Sequence, residues 1–270
     1  MYNKHMKKSK ITPSLHTIFN KKLFFLDGDG TIYLGNQLLP GAKKLMLRLK
    51  QLNKQYYICT NNSSKPPTDY IHQYKQLGLT INETHLLTSI QPALLHCKSK
   101  GFSRLYIIAT KAMLAYIESQ GIYHDEQDPE AILLTYDTEL TYKEIKHTVM
   151  WLNNKLPYFA THPDHLCPTD QGMLPDIGTY ITMFETASGR VPDLIFGKPS
   201  TLMIQPILDQ FGLNLNDCVI IGDRLYTDIK MGQNNDLTTI LTLQGETTVE
   251  MANSSDIKAD FIIQSLDDLV

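Results

Sequence analysis

An α/β fold built on a parallel sheet is what this 270-residue sequence predicts, and three observations carry the prediction. Short apolar runs of strand length alternate with segments whose apolar residues recur at three and four, the pattern of strands joined by crossover helices. Several runs stop abruptly at polar residues: Leu26 at Asp27, Cys59 at Thr60 and Asn61, Phe196 at Gly197 and Lys198, Ile221 at Gly222 and Asp223. Ligands of open parallel sheets bind outside the carboxyl ends of the strands, so four such ends on one edge would make a single pocket. The spacing is also uneven. Thr60 follows Asp27 by 33 residues, room for one loop and one helix, whereas Lys198 follows Thr60 by 138, far more than one crossover needs. The surplus is the size of a domain, which places an insertion at 82–183 between core segments 1–81 and 184–270.

The elements follow in order. The first 22 residues are basic but lack the apolar block of a signal peptide, and they read as a loosely ordered lead-in. Residues 23–26, all apolar, suit a strand buried on both faces. Ala42, Leu45, Met46, Leu49 and Leu52 then mark one helix face, and QYYICT is the next strand, ending at Thr60. Helices are expected at 68–77 and 89–99, a strand at RLYIIA, a helix at 111–120, a strand at AILLTY, a helix at 141–153 and a strand at PYFAT. Beyond these come a helix at 179–188, strand DLIFG, a helix at 200–211, strand CVIIGD, a short helix from Thr227, and strands TTILTL and DFIIQ.

Composition narrows the function. Lysine plus arginine is 25 against 28 acids, and no basic stripe appears beyond the first residues, so nucleic acid is a poor partner. No apolar stretch approaches the roughly 20 residues of a membrane helix. Cys59, Cys97, Cys167 and Cys218 are scattered singly, as buried thiols of a reducing cytoplasm are, without zinc-site or disulfide spacing.

Three familiar readings of the strand ends fail. DGDGT is not half of a calcium loop, because Ile32 and Leu38 stand where glycine and glutamate are required. A dinucleotide fingerprint from Gly28 would need glycine at Tyr33. A phosphate loop ending in FGKPS would need glycine at Pro192 and serine or threonine at Pro199.

The ordered set LDGDGT, CTNN, GKPS and IGDRLYTD instead resembles the four motifs of the haloacid dehalogenase (HAD) superfamily. TNNSSK, ATHPD, ETASGR and FGKPS narrow the resemblance to its class IIA, the NagD-like phosphatases. That resemblance implies a Rossmann-like HAD core with a parallel sheet, the insertion being an α/β cap that covers the site. It implies an Mg2+-dependent phosphatase acting on small phosphomonoesters through an aspartyl-phosphate, with a homodimer through the cap. By the same resemblance Asp27 is the nucleophile, and Asp29 protonates the leaving alcohol and then activates water. Asp27, the Asp29 main-chain carbonyl and Asp223 bind magnesium; Asp228 either holds a coordinated water or orients Lys198. Thr60, Asn61 and Lys198 hold the phosphoryl oxygens.

The cap loop THPDHLCPTDQG offers His162, Asp164 and His165 as substrate-reading residues, and 78–82 and 182–188 are the expected hinges. No lysine or arginine lies between Leu156 and Gly189, which argues against a second anionic group being clamped there. Asn62 and Arg224 are set aside as loop hydrogen-bonders. A phosphotransferase or mutase, or a non-catalytic phosphate binder of the same fold, would carry the same motif residues.

Overall fold

The computed structural model describes residues 15–169, 172–233 and 235–270. The first described element already departs from expectation. Within the stretch read as a loose lead-in, Leu15–Asn20 forms a 3-10 helix, and Ile18 is buried in the core with Phe24, because an apolar side chain spaced to reach the sheet is worth burying. The remainder of that lead-in, residues 1–14, lies outside the described residues.

Six parallel strands form the main sheet, in the order Phe261–Ile263, Thr238–Thr242, Cys218–Gly222, Leu23–Asp27, Gln55–Thr60, Leu86–Thr88. All five residues of Leu23–Asp27 are buried, as a central strand covered on both faces must be. Its upper face packs into one cluster with Leu45, Leu49 and Val219, its lower face into another with Met203, Leu208 and Ile220. The chain leaves this strand toward Gln55–Thr60 on one side and returns beside it as Cys218–Gly222 on the other. That reversal puts a crevice over the end carrying Asp27.

A second sheet of five parallel strands has the order Leu194–Ile195, Tyr158–Ala160, Ala131–Leu134, Arg104–Ile108, Tyr123–His124. It has two apolar clusters of its own, one around Ile107 and Leu133, one around Ile132, Tyr158 and Phe184. The inserted α/β cap is thus present, but sheet membership differs from the expected division at 82 and 183. Leu86–Thr88 pairs with Gln55–Thr60 in the main sheet, and Leu194–Ile195 pairs with Tyr158–Ala160 in the second. Two- and three-residue strands are assigned by what they pair with, and no local pattern shows that. The segments expected as hinges are held in place. Residues 182–188 are the hydrogen-bonded end of helix Ile177–Ser188, and Leu79 and Ile81 are buried in the main core.

Two further differences bear on the site. The loop expected over 161–172 folds into an antiparallel hairpin, Leu166–Thr169 with Gly172–Pro175. The helix expected from Thr227 begins instead as one π-helical turn, Leu225–Ile229, and continues as Lys230–Gly232; such turns recur at functional sites because they re-aim a side chain. Among the described residues no helix is long and apolar enough to cross a membrane. All four cysteines are free, and three are buried.

Candidate active site

Three of the four polar strand ends meet on one edge of the main sheet: Asp27, Thr60 with Asn61, and Gly222 with Asp223. The fourth arrives from the other sheet. Leu194–Ile195 belongs to the cap sheet, and the chain crosses at Phe196 and Gly197 to deliver Lys198. Only glycine fits at 197, since a Cβ there would lie 2.6 Å from Asn61 Oδ1 and 2.7 Å from the His162 Cβ.

Lys198 is 2% exposed, and its ammonium is the hub of the site. It donates to Asp27 Oδ1, to Asp228 Oδ1 at 2.7 Å and to the Cys59 carbonyl at 3.1 Å. Burial alone would strip its proton, but Asp228 and Asp27 outweigh that and hold its pKa above the usual lysine range. Asp228 has both oxygens engaged, since Oδ2 accepts from the Arg224 N–H at 3.3 Å and the Thr227 hydroxyl at 3.2 Å. Of the two roles open to Asp228, the contacts match the orienting of Lys198.

Asn61 grips the Lys198 backbone from both sides. Its Oδ1 accepts the Lys198 N–H at 2.8 Å, and its Nδ2 donates to the Lys198 carbonyl at 2.9 Å and to Asp164 Oδ2 at 3.2 Å. The side-chain amide is fully used in this clamp. Thr60, at the strand end beside it, accepts the Asn62 N–H at 3.2 Å.

Asp223 follows the Cys218–Gly222 strand and is 1% exposed. The Glu246 N–H donates to its Oδ2 at 2.7 Å and the Thr31 hydroxyl to its Oδ1 at 3.4 Å. Gly30, at φ 82°, lets the loop after Asp29 pass within contact of it; a Cβ there would sit 2.2 Å from Asp223 Oδ2. Carboxylate oxygens of Asp27, Asp223 and Asp228 lie within 4.8 Å of one another. With Lys198 spent on two of the three, burial and then the Asp27 and Asp228 charges push Asp223 up to about 8. Hard oxygen donors short of positive charge are what a magnesium ion would complete, so the residues present fit one. The Asp29 carboxylate is not one of the converging three. Burial raises its pKa, against a lowering by Arg224.

Asp27, Asp29, Thr60, Asn61, Asp164 and Lys198 all line one cavity of about 60 Å3, roofed by Leu166, Cys167 and Pro168 of the cap hairpin. The expected cap residues separate. Asp164 is in the cavity; His162 is fully buried behind it, its Nε2 3.0 Å from Asp176 Oδ1; His165 is exposed and lines none of it. His165 is therefore withdrawn as a substrate-reading residue, because the backbone between Pro163 and Leu166 turns it outward. Asn62 lines the cavity while its Oδ1 accepts from Ser64, as a loop hydrogen-bonder does.

Sequence reasoning missed Arg224 and Asp176, both of which line the cavity. The Arg224 Nε is 3.0 Å from Glu246 Oε2 and an Nη is 4.0 Å from Asp164 Oδ2, so a core guanidinium faces a cap carboxylate. Adjacency to Asp223 was its only signal. Asp176 caps helix Ile177–Ser188, accepting the Ile177 N–H at 2.7 Å.

Comparison with known proteins bears on the family and the fold. The family model for haloacid dehalogenase-like hydrolases matches 24–123, and the HAD-hydrolase-like model matches 195–269. The crystal structure of 4-nitrophenylphosphatase from Thermotoga maritima superposes with a TM-score of 0.90 at 37% identity, covering 94% of this chain and 98% of its own. This chain belongs to the haloacid dehalogenase-like hydrolases. Within them it is a NagD-like phosphoric monoester hydrolase. The chloroplastic phosphoglycolate phosphatase 1A of Arabidopsis thaliana is 28% identical over 92% of this chain and 76% of its own length. A glycerol phosphate phosphatase from Mycobacterium tuberculosis, solved with magnesium, shares the fold at a TM-score of 0.82 and 23% identity, covering 93% of this chain and 76% of its own.

Proposed function

We propose that this phosphatase hydrolyses small phosphomonoesters, among them sugar phosphates, nucleoside monophosphates and p-nitrophenyl phosphate, with magnesium and through an aspartyl-phosphate on Asp27. The observation that carries the reading is Asp27 itself. It stands at the end of the central strand with Lys198 on one oxygen, and two residues on is Asp29, whose carboxyl burial pushes up.

Lys198 neutralises Oδ1 of Asp27 and leaves Oδ2 to attack phosphorus. As the phosphorus–oxygen bond to the leaving group breaks, Asp29 gives its proton to the departing oxygen. The Asp29 carboxylate then takes a proton from water, whose oxygen displaces Asp27 and releases phosphate. Thr60, the Asn61 main chain and the Lys198 ammonium hold the equatorial oxygens, a charge match worth most where water is excluded. Asp27, the Asp29 main-chain carbonyl and Asp223 would hold magnesium, with Asp228 behind them. The ion supplies the positive charge that lets an anionic nucleophile meet an anionic ester. The related magnesium-bound fold and the convergence of three carboxylates beside one lysine support that assignment.

The cap, taken as the segment between Thr88 and Phe196, closes the cavity and gates turnover. Four free thiols support a cytoplasmic setting, and exposed Tyr142 and Met150 on a cap helix support a homodimer through that domain, which light scattering tests. Phosphate release from p-nitrophenyl phosphate, measured with and without magnesium on wild type and Asp27→Asn, tests the activity. Magnesium-dependent release lost in the variant is the expected result. Phosphate found instead on a second organic acceptor would turn the reading toward a phosphotransferase.

A further inference from the structure

His162, Asp164 and Asp176 bracket the cap hairpin. The first two precede strand Leu166–Thr169, and Asp176 follows strand Gly172–Pro175 as the cap of helix Ile177–Ser188. A nitrogen of His162 and one carboxylate oxygen of each aspartate lie within 4.8 Å of one another, and the three residues are 0%, 6% and 4% exposed. Buried carboxylates need a pairing charge or a metal, and the chain supplies little charge here. No lysine or arginine lies between 156 and 189, and Arg224 comes only to 4.0 Å of Asp164 Oδ2 while its Nε is 3.0 Å from Glu246 Oε2. A protonated His162 would match one carboxylate and not both. Asp164 shows the deficit: Oδ2 accepts from Asn61 at 3.2 Å, whereas Oδ1 is buried with no hydrogen-bond partner among the described residues. The imidazole is also set up as a ligand. Its Nε2 is 3.0 Å from Asp176 Oδ1, and its Nδ1 is 3.4 Å from the Thr161 hydroxyl, which donates in turn to the Leu134 carbonyl. With the ring proton on Nδ1 and given to Thr161, the Nε2 lone pair faces an aspartate, a repulsion that a cation removes.

We propose that His162 Nε2, Asp164 Oδ1 and an Asp176 oxygen bind a divalent cation of the zinc class, which staples the base of the cap hairpin. One imidazole nitrogen with two carboxylate oxygens is a zinc-type donor set. Asp27, Asp223 and Asp228 offer only hard oxygens, which suit magnesium, so the two sites select different metals. The inference goes beyond the phosphatase reading and does not depend on it, because its readout is bound metal and not turnover.

The test dialyses the full chain against Zn2+ with magnesium in excess and measures the zinc retained by elemental mass spectrometry. Asp223→Asn, which disables the core site, should still retain one zinc per chain, as should wild type. His162→Asn should bind zinc more weakly by about 100-fold or more, beyond the roughly 10–100-fold that losing a hydrogen bond behind a ligand costs. X-ray absorption at the zinc edge of Asp223→Asn should show one imidazole nitrogen among oxygen ligands. No zinc retained, retention unchanged in His162→Asn, or retention lost in Asp223→Asn and kept in His162→Asn would each overturn the site. If His162→Asn does not fold, the zinc-edge spectrum of Asp223→Asn decides. A shell of oxygens alone overturns the proposal, and an imidazole with oxygens upholds it.

Discussion

Replacing Asn61 by alanine separates a brace from a phosphate ligand. The structure makes the Asn61 side chain a clamp on Lys198, with bonds of 2.8 Å to its N–H and 2.9 Å to its carbonyl, both buried. Alanine leaves two buried backbone groups without partners, at ~1–3 kcal/mol each, and removes one donor from Asp164. A net loss of about 2–4 kcal/mol follows after partial relaxation, or a fall in Tm of about 4–16 °C for a chain of this size. Because the clamp places the ammonium that faces Asp27, kcat should also fall by about 10–100-fold, the effect of a reactive group displaced by about an ångström. Thermal unfolding by circular dichroism and steady-state kinetics read the two effects separately. A Tm within about 1 °C of wild type, together with a raised KM and unchanged kcat, would refute the clamp and make the amide a direct ligand of substrate.

Other perturbations have equally definite outcomes. Asp29→Asn should slow esters of ordinary alcohols by about 10²-fold more than p-nitrophenyl phosphate, whose leaving group needs little protonation, and the ratio of the two kcat values checks it. Gly30→Ala forces a Cβ into Asp223 from a left-handed backbone, so it should cost about 1–3 kcal/mol in thermal unfolding and weaken magnesium binding in a calorimetric titration. Lys198→Met strands the Asp27 and Asp228 carboxylates and should destabilise by about 3–5 kcal/mol near neutral pH, read by urea unfolding. Asp223 titrates near 8 when folded without metal and near 3.8 as a free side chain, so the folded chain binds more protons between those values. Stability of the metal-free protein therefore falls as pH rises through that window. Magnesium competes with the same proton, so its stabilisation of Tm should be larger at about pH 9 than at about pH 6.

What the sequence revealed of the site is what local pattern can encode. Asp27, Thr60 and Asp223 were legible because an apolar strand that stops at a polar residue announces its own end. Lys198 was legible as a site residue, but not the sheet that delivers it. Leu194–Ile195 is two residues long, and its pairing with Tyr158–Ala160 is decided by tertiary contacts. The same holds for Leu86–Thr88, too short for any periodicity to register. The hairpin at Leu166–Thr169 hid behind Pro168 and Pro175, which read as loop residues. Asn61 shows a further limit. Its type fits a phosphate ligand and a clamp equally, and only the direction of its hydrogen bonds separates them. Arg224 had no pattern of its own, and its place between Glu246 and the cap's Asp164 needs the two sheets assembled.

Trapping the intermediate tests the role of Asp27 most directly. Wild type incubated with magnesium and p-nitrophenyl phosphate is quenched in acid, digested and analysed by peptide mass spectrometry. A phosphoryl group should be found on the peptide carrying Asp27, and Asp27→Asn should carry none while releasing no phosphate. Release at the wild-type rate from Asp27→Asn, or a phosphoryl group on another residue, would contradict the assignment of Asp27 as the nucleophile.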